Sequence, residues 1–192
     1  MLWFTADLHL GHAGIIGYCD RPFSSVEEMD EAIIANINAV VAPDDELWVL
    51  GDFTGHASRG RVRGLRGRIR CRHVSLVHGN HDPYVPDGQW EGIWELDRAY
   101  CDRPRSPAGR RMVLCHYPIC DWRGQRRGSY MLHGHIHSRG PAYNRRMRDA
   151  GILRYDVGVD ANGFRPVSAA EIDRWFAGVE PAEVHHGPQG LS

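Results

Sequence analysis

The chain has 192 residues, of which 42% are hydrophobic and 24% are charged. This balance is typical of one compact domain and excludes a disordered, collagen-like or coiled-coil protein. A chain of this length buries roughly 70% of the surface it exposes when unfolded, so its core needs no disulfide or structural metal. Its five cysteines include no C-x-x-C pair, which favours a reducing compartment. Since no apolar run approaches the roughly 20 residues of a membrane span, we expect a cytoplasmic protein without membrane contact.

The net charge of −1 hides an uneven distribution of charge. Residues 1–52 carry 1 arginine and 10 acidic residues, residues 53–148 carry 19 and 7, and residues 149–192 carry 3 and 7. The arginine-rich middle part predicts either a solvated face or a surface that binds polyanions.

The densest basic segment runs from Arg59 to Arg72, with seven arginines in 14 residues. One interpretation is a strip that contacts the phosphate backbone of a nucleic acid, whose binding would fall steeply with salt. The other is a helix or hairpin edge that pairs with the acidic first part of the chain. Few aromatic residues interleave these arginines for base stacking, which favours the second interpretation.

Seven short apolar runs, rich in Val, Leu, Ile and aromatic residues, predict strands. In chain order they span residues 2–6, 46–50, 74–77, 93–96, 112–115, 130–132 and 154–159. Between the first two, apolar residues at helical spacing predict a helix over residues 26–41, with Ser25 and Glu28 as a capping box. A second box, Ser168 with Glu171, predicts a shorter helix near the C-terminus.

The predicted elements form one unit. We assign residues 1–178 to a single domain and residues 179–192 to a flexible tail, in which His185 and His186 have no role. The order strand, helix, strand at the start predicts a right-handed parallel crossover, and short turn-rich segments separate the later runs. The expected architecture is a mixed sheet, or a core of two sheets, flanked by helices. Ligands of such folds gather beyond the carboxyl ends of the strands.

Five of the predicted strand ends carry side chains that can bind metal ions. In chain order the blocks are Asp7-Leu8-His9, Gly51-Asp52, Gly79-Asn80-His81-Asp82, His116 and Gly134-His135-Ile136-His137. One histidine at a strand end is usually a hydrogen-bonded structural residue, but five such clusters in one short chain make that explanation poor. Residues i and i+2 of an extended segment point the same way, so the pairs 7 and 9, and 135 and 137, can each reach one centre if the strand geometry continues that far. Mixed carboxylate, amide and imidazole ligands suit Mn²⁺, Fe or Zn²⁺ better than Mg²⁺ or Ca²⁺.

In this order, the five blocks resemble the signature D-x-H, GD, GNH(D/E), H and GHxH of the calcineurin-like metallophosphoesterase superfamily. The resemblance runs from Asp7 to His137. The later run Asp156-Val157-Gly158-Val159-Asp160 resembles the compact bacterial and phage members. The resemblance implies an α/β fold, an αββα sandwich of two mixed β-sheets flanked by helices, and a centre of two divalent ions. Mn²⁺ is the favoured metal, with Fe or Zn²⁺ as alternatives.

The family pattern also implies roles for individual residues. One ion would be bound by Asp7, His9, Asp52 and His137, and the second by Asp52, Asn80, His116 and His135. Asp52 would then bridge the ions, since a carboxylate offers two oxygens. His81 would be the general acid that protonates the leaving group. Asp82 either orients His81 or holds a turn.

Four further residues near these blocks are candidates for smaller roles. His12 and Tyr117 are candidate substrate contacts, and His56 is a candidate wall of the pocket. Burial within strands is the expected role of His133, which precedes a glycine of the last block.

The implied activity is phosphoester hydrolysis by water that two metal ions activate. The sequence after Asp52 lacks the Asp-Arg-Gly of the protein phosphatases of this superfamily, and 192 residues leave little room for the added domain of its double-strand-break nucleases. Nucleotide-type phosphodiesters, such as 2',3'-cyclic nucleotides or oligonucleotide ends, are the favoured substrates, because the GNHD histidine is present and no clamp for a monoester is evident.

Two alternatives stay open. One is a phosphomonoesterase that acts on nucleotides or small molecules. The other is a nucleic-acid-binding module stabilised by one structural metal, which the oxygen-rich ligand set disfavours because structural zinc sites usually have four Cys or His ligands.

Overall fold

The computed structural model describes residues 1–82, 93–94 and 97–182. The first half of the chain contains β1 (Leu2–Thr5), α1 (Gly14–Cys19), α2 (Val26–Val40), β2 (Glu46–Val49), α3 (Arg59–Gly67) and β3 (His73–Val77). The second half contains β4 (Asp97–Arg98), β5 (Tyr100–Cys101), β6 (Met112–Cys115), β7 (Tyr130–His133), α4 (Ala142–Asp149), β8 (Arg154–Asp156), β9 (Val167–Ser168) and α5 (Ala169–Trp175). Two 3₁₀ turns lie at Gln125–Arg127 and Val159–Ala161. Among these helices, none is long and apolar enough to cross a membrane.

The strands form two mixed sheets. The first has the order β4-β3-β2-β1-β9, in which β1 to β4 are parallel and β9 is antiparallel. The second has the order β5-β6-β7-β8, in which β5 is antiparallel to β6 and the other pairs are parallel. Each sheet therefore brings the carboxyl ends of three or more parallel strands to one edge.

Alternating side chains of the strands divide the core into layers, because successive strand residues face opposite sides of a sheet. In β2, Leu47 packs in the cluster that includes Ile33 of α2 and Val62 of α3. Its neighbour Trp48 packs between the sheets, with Leu114 of β6. The outer face of the second sheet is covered by a small cluster around Trp122. The predicted αββα sandwich is confirmed.

The two predicted capping boxes have different outcomes. The Ser168 hydroxyl accepts the backbone N–H of Glu171, whose carboxylate accepts the Ser168 N–H at 2.8 Å, so this box is complete. At α2 the Ser25 hydroxyl accepts the Glu28 N–H at 3.1 Å. The Glu28 carboxylate, however, accepts the N–H of Ser24, one residue earlier, so only half of that box forms.

Two of the predicted strands differ from the structure. In the run 93–96, residues 95 and 96 lie outside the described residues, and Ile93 and Trp94 are not in a strand. The indole of Trp94 packs edge-on against Phe53 at 5.0 Å, so these apolar side chains fill the core rather than continue a sheet. The run 154–159 ends as a strand at Asp156, because the backbone turns into the 3₁₀ turn that follows.

The predicted tail lies partly within the described residues. The N–H of Ala182 donates to the Gly151 carbonyl at 2.9 Å, so residues 179–182 lie against the domain. Residues 183–192, with His185 and His186, lie outside the described part of the chain. The assignment of a single domain over residues 1–178 stays a prediction.

Candidate metal centre

The seven predicted ligand side chains follow five strands whose carboxyl ends meet at one edge of the sandwich. The loops after β1, β2 and β3 come from the first sheet, and those after β6 and β7 come from the second. Parallel strands bring such loops together regardless of their separation in sequence. The side chains brought together are Asp7, His9, Asp52, Asn80, His116, His135 and His137.

Three of these predicted ligands form a cluster that we call the inner group, in which Asp7 and His9 are buried and His137 is half-buried. One ligand atom from each lies within 4.8 Å of the others. The Asp7 carboxylate accepts the backbone N–H of His135 at 2.9 Å, which ties the loop after β7 to the loop after β1.

Three other ligands form a more open cluster that we call the outer group: Asn80, His116 and His135. The Oδ1 of Asn80 lies 3.0 Å from His116 Nε2 and 2.9 Å from His135 Nδ1. His116 is buried, but Asn80 and His135 are exposed. The His116 Nδ1–H donates to the Leu50 carbonyl at 2.9 Å, which leaves Nε2 to face the other ligands.

Asp52 lies between the two groups. Its Oδ2 is 3.5 Å from His9 Nε2 in the inner group and 3.4 Å from His116 Nε2 in the outer group. Its Oδ1 accepts the backbone N–H of His81 at 2.8 Å. This carboxylate therefore approaches both groups, and with Asp7 and His116 it forms a second cluster whose ligand atoms lie within 4.8 Å of one another.

The electrostatics of the cluster fit divalent cations. Burial, with the nearby carboxylates of Asp156 and Asp52, raises the pKa of Asp7 well above its usual range. Burial lowers the pKa of His9 to about 2, and it also lowers the pKa of His116. These imidazoles are therefore neutral and offer lone pairs, and the buried Nε2 of His9 has no hydrogen-bond partner among the described residues. A divalent cation at this cluster would favour the ionised form of Asp7 and bind the lone pairs of these neutral imidazoles.

The backbone of the ligand loops is strained. Five of the seven ligands have a left-handed φ: Asp7 (58°), His9 (51°), Asp52 (53°), His135 (72°) and His137 (45°). Each such residue costs on the order of 1–3 kcal/mol and persists only where the surroundings hold it. The extended geometry of the strands therefore does not continue into these loops. Asp7 and His9 nevertheless lie in one group, as their spacing predicts, whereas His135 and His137 lie in different groups.

One close approach requires a glycine. A Cβ on Gly79 would lie 2.2 Å from Asp52 Oδ1 and 2.5 Å from the Asp52 backbone nitrogen. Only a residue without a side chain lets the loop after β3 come this close to Asp52.

Comparisons with known proteins agree with this geometry. One protein-family model, described as Calcineurin-like phosphoesterase, matches residues 1–192. The chain belongs to this family. Calcineurin-like phosphoesterases are metal-dependent phosphohydrolases with dinuclear centres, so the chain is a phosphohydrolase of this type.

Three similar proteins span most of the chain. The uncharacterized protein MJ1445 of Methanocaldococcus jannaschii is 28% identical over 173 residues, which cover 87% of this chain and 86% of that protein. The Gene 66 protein of Mycobacterium phage L5 is 32% identical over 163 residues, which cover 71% of this chain and 77% of that protein. The crystal structure of AQ665, a protein of unknown function from Aquifex aeolicus, has a TM-score of 0.69 at 26% identity and covers 91% of this chain and 98% of that one.

Three more histidines surround the inner group of this calcineurin-like phosphoesterase. His81 Nδ1 lies 3.2 Å from His56 Nε2, and the His56 N–H donates to the His81 carbonyl at 3.3 Å. His12 Nδ1 lies 3.4 Å from His9 Nδ1, and its ring is 5.8 Å from that of His81. The two candidate residues His12 and His56 thus lie beside the candidate general acid.

The remaining candidates have clear positions. Tyr117 packs edge-on against His116 and His135, with ring centroids 5.0 and 4.7 Å apart, and is 44% exposed. The Asp82 carboxylate accepts three backbone N–H groups, those of Asp52, Phe53 and Gly79. These bonds favour the turn-holding alternative for Asp82. His133 is buried, as expected.

The sequence interpretation missed three residues at this site. Arg21 and Asp160 form a buried ion pair behind His137. Tyr18 is 80% exposed, and its ring lies 6.4 Å from that of His12. A signal for Arg21 was present, because it is the one arginine in the acidic first 52 residues.

Proposed function

We propose that the protein hydrolyses phosphodiesters of nucleotide type. The inner group and Asp52 would hold one divalent ion, and Asp52 and the outer group would hold the second. The observation that carries this proposal is the position of Asp52, whose Oδ2 lies within 3.5 Å of an imidazole nitrogen from each group.

The ligand set supports Mn²⁺ as the metal, since it combines carboxylate and amide oxygens with four imidazoles. Two bound ions of this kind supply a nucleophilic water at neutral pH and neutralise charge on the phosphoryl oxygens. The chain's own contribution is to hold the imidazoles of His9 and His116 neutral by burial and to fix the directions of the rings. His116 illustrates this, because its Nδ1–H is fixed by the Leu50 carbonyl.

His81 is proposed as the general acid. It is half-buried, and its backbone N–H is anchored on Asp52. Its Nδ1 faces His56 Nε2 at 3.2 Å, which leaves Nε2 to hold a proton and deliver it to the leaving alkoxide. Such proton transfer typically contributes about 10² to 10⁴ in rate.

In the described part of the chain, the arginine behind the inner group is not available as a clamp for a monoester, which supports a diester substrate. A phosphate monoester carries a second negative charge, which enzymes commonly hold with a guanidinium fork. The arginine beside the inner group, Arg21, directs its N–H groups to acceptors within the protein, including Asp160 and the Asp7 carbonyl. It is therefore not free to bind a phosphoryl oxygen.

Two exposed aromatic rings support a nucleotide. Tyr18 lies beside His12, and Tyr117 lies beside His135. Stacking of a base on an aromatic ring is worth about 1–3 kcal/mol. Nucleotide-type diesters such as 2',3'-cyclic nucleotides or oligonucleotide ends would use such rings, so His12 and Tyr117 remain the proposed substrate contacts.

The arginine-rich segment gives little support to a nucleic-acid strip. Arg68 forms an ion pair with Glu31 at 2.5 Å, and Arg72 forms one with Asp44. Both acids belong to the acidic first part of the chain, as the pairing interpretation predicts. We therefore expect oligonucleotide binding to change little with salt. A steep salt dependence would instead support the interpretation of this segment as a strip that contacts the phosphate backbone.

The proposal is tested by initial rates on a chromogenic phosphodiester and its matching monoester, with metal-free protein and with Mn²⁺. Asp52→Asn is the control for contaminating activity. We expect a Mn²⁺-dependent preference for the diester that the variant loses, and the same preference on 2',3'-cyclic nucleotides. Faster turnover of the monoester would move the function to a phosphatase. One tightly held zinc and no turnover would favour the binding module.

A further inference from the structure

Arg21 lies behind the inner group, where it is wholly buried. Its Nε and Nη2 donate to Oδ1 and Oδ2 of Asp160, both at 2.9 Å. Its remaining N–H groups reach the carbonyl of Asp7 at 2.7 Å, the carbonyl of Leu8 at 3.1 Å and the Met29 sulfur at 3.4 Å. All five guanidinium N–H groups therefore have an acceptor within the protein.

Asp160 links this guanidinium to His137. Its Oδ2 lies 2.8 Å from His137 Nδ1. Because Asp160 also accepts from two Arg21 nitrogens, its carboxylate is fixed where it can accept the Nδ1–H of His137, which leaves Nε2 as the nitrogen for a cation.

Direct metal binding by Asp160 is the alternative. Its ligand atom lies within 4.8 Å of those of Cys19 and His137. However, both carboxylate oxygens already accept from Arg21, and a guanidinium at 2.9 Å disfavours a further cation on the same carboxylate. The geometry therefore favours an indirect role.

The same arginine holds the strained loop of the inner group. Asp7 and His9 have left-handed φ angles of 58° and 51°. The carbonyls of Asp7 and Leu8, which lie in this loop, both accept from Arg21. One buried cation thus contacts the backbone of one ligand and, through Asp160, the ring of another.

We propose that Arg21 and Asp160 are positioning residues for the inner metal ion. Asp160 fixes the ring of His137, and Arg21 fixes Asp160 together with the backbone that carries Asp7. The inference rests on the proposed metal centre, and it goes beyond that centre because neither residue is one of its seven ligands.

The test is Mn²⁺ binding to the metal-free chain, measured by calorimetry and by the EPR signal of free Mn²⁺. Asp160→Asn keeps the shape of the side chain but leaves one acceptor oxygen, whereas Asp160 uses two to accept from Arg21 and His137. We expect the affinity for one ion to fall by about 10- to 100-fold and the affinity for the other to stay within about threefold. Glu31→Gln, which removes the exposed partner of Arg68, is the matched control and should change neither ion.

A double-mutant cycle separates positioning from ligation. In a His137→Ala background, Asp160→Asn should cause little further loss, because the ring it positions is absent. An equal loss in both backgrounds, a loss at both ions, or no loss in either would overturn the proposal. Failure of the unchanged chain to bind two ions would instead overturn the proposed function, and this inference with it.

Two further variants keep the test decisive if Asp160→Asn does not fold. Arg21→Gln with Asp160→Asn removes both charges, so neither is buried alone, and should show the same selective loss. Arg21→Lys keeps the charge without the fork and should weaken the inner ion by an intermediate factor. Circular dichroism of the metal-free variants provides the folding control. Full affinity in a folded double variant would overturn the proposal.

Discussion

Asp7 and His9 of the inner group are buried, whereas Asn80 and His135 of the outer group are exposed. The ion pair of Arg21 and Asp160 and a backbone hydrogen bond to Asp7 support the inner group. In the outer group, a backbone carbonyl holds the ring of His116. Similar ligand chemistry is therefore placed in two environments. Buried charges interact more strongly than exposed ones, so we expect a tightly held inner ion and a more exchangeable outer ion that faces the substrate.

The largest expected effect comes from removing what the two groups share. Asp52→Asn removes a carboxylate oxygen near both groups, so both ions should bind weakly. Activity should fall on the order of 10⁴-fold, the scale seen when a catalytic constellation loses one member. Metal content after gel filtration, measured by mass spectrometry, checks this result. Retention of two ions would show that Asp52 is not the shared ligand.

Removing one ligand from each group tests the comparison directly. His135→Ala should leave one ion per chain, held by the inner group. His137→Ala should lose the tighter ion, because its ring belongs to the buried cluster. A graded chelator titration of the unchanged chain should likewise remove its ions in two phases. Loss of both ions in a single phase would contradict the distinction between the groups.

A change beside the groups should leave both ions in place. His81→Ala should keep two ions and lower turnover by about 10² to 10⁴, most strongly for esters with poor leaving groups. His56→Ala should cause a smaller loss with the same dependence on the leaving group, since its ring faces His81 Nδ1. Rates across a series of aryl phosphodiesters measure this dependence. A uniform loss across the series would argue against general acid catalysis.

The smallest expected effect lies outside both groups. A methyl group on Gly64, an exposed glycine within α3, would contact nothing within 4 Å. Gly64→Ala should therefore raise the free energy of unfolding by about 0.4–1 kcal/mol and leave both metal affinities unchanged. Gly79→Ala is its contrast, because the added carbon would collide with Asp52. Urea denaturation and Mn²⁺ titration of both variants measure the difference.

The sequence predicted the parts of this molecule that depend on local pattern. Apolar runs located β1, β2, β3, β6 and β7, and the polar residues that follow them include all seven predicted ligands. This works because a strand end is defined by its own residues, and parallel strands bring such ends to one edge. Helix α3 was harder to predict, since three glycines interrupt its nine residues.

The parts that were missed depend on the packed structure. Arg21, which lies between α1 and α2, is 139 positions from Asp160, which lies in the 3₁₀ turn after β8. The left-handed φ of the ligands is likewise imposed by contacts, because none of these residues favours it locally in the way glycine does. Spacing alone therefore predicted which side chains come together and did not predict the backbone conformation that brings them there.

The origin of the ligands in two different sheets has a mechanical consequence. Asp7, His9, Asp52 and Asn80 follow strands of the first sheet, and His116, His135 and His137 follow strands of the second. Ions bound between these residues would cross-link the two sheets at one end of the sandwich. Loss of the metal would then weaken the contact between the sheets along that edge as well as stop the reaction. Removing the metal should therefore speed the exchange of amide hydrogens with solvent in the core between the sheets, far from the centre itself.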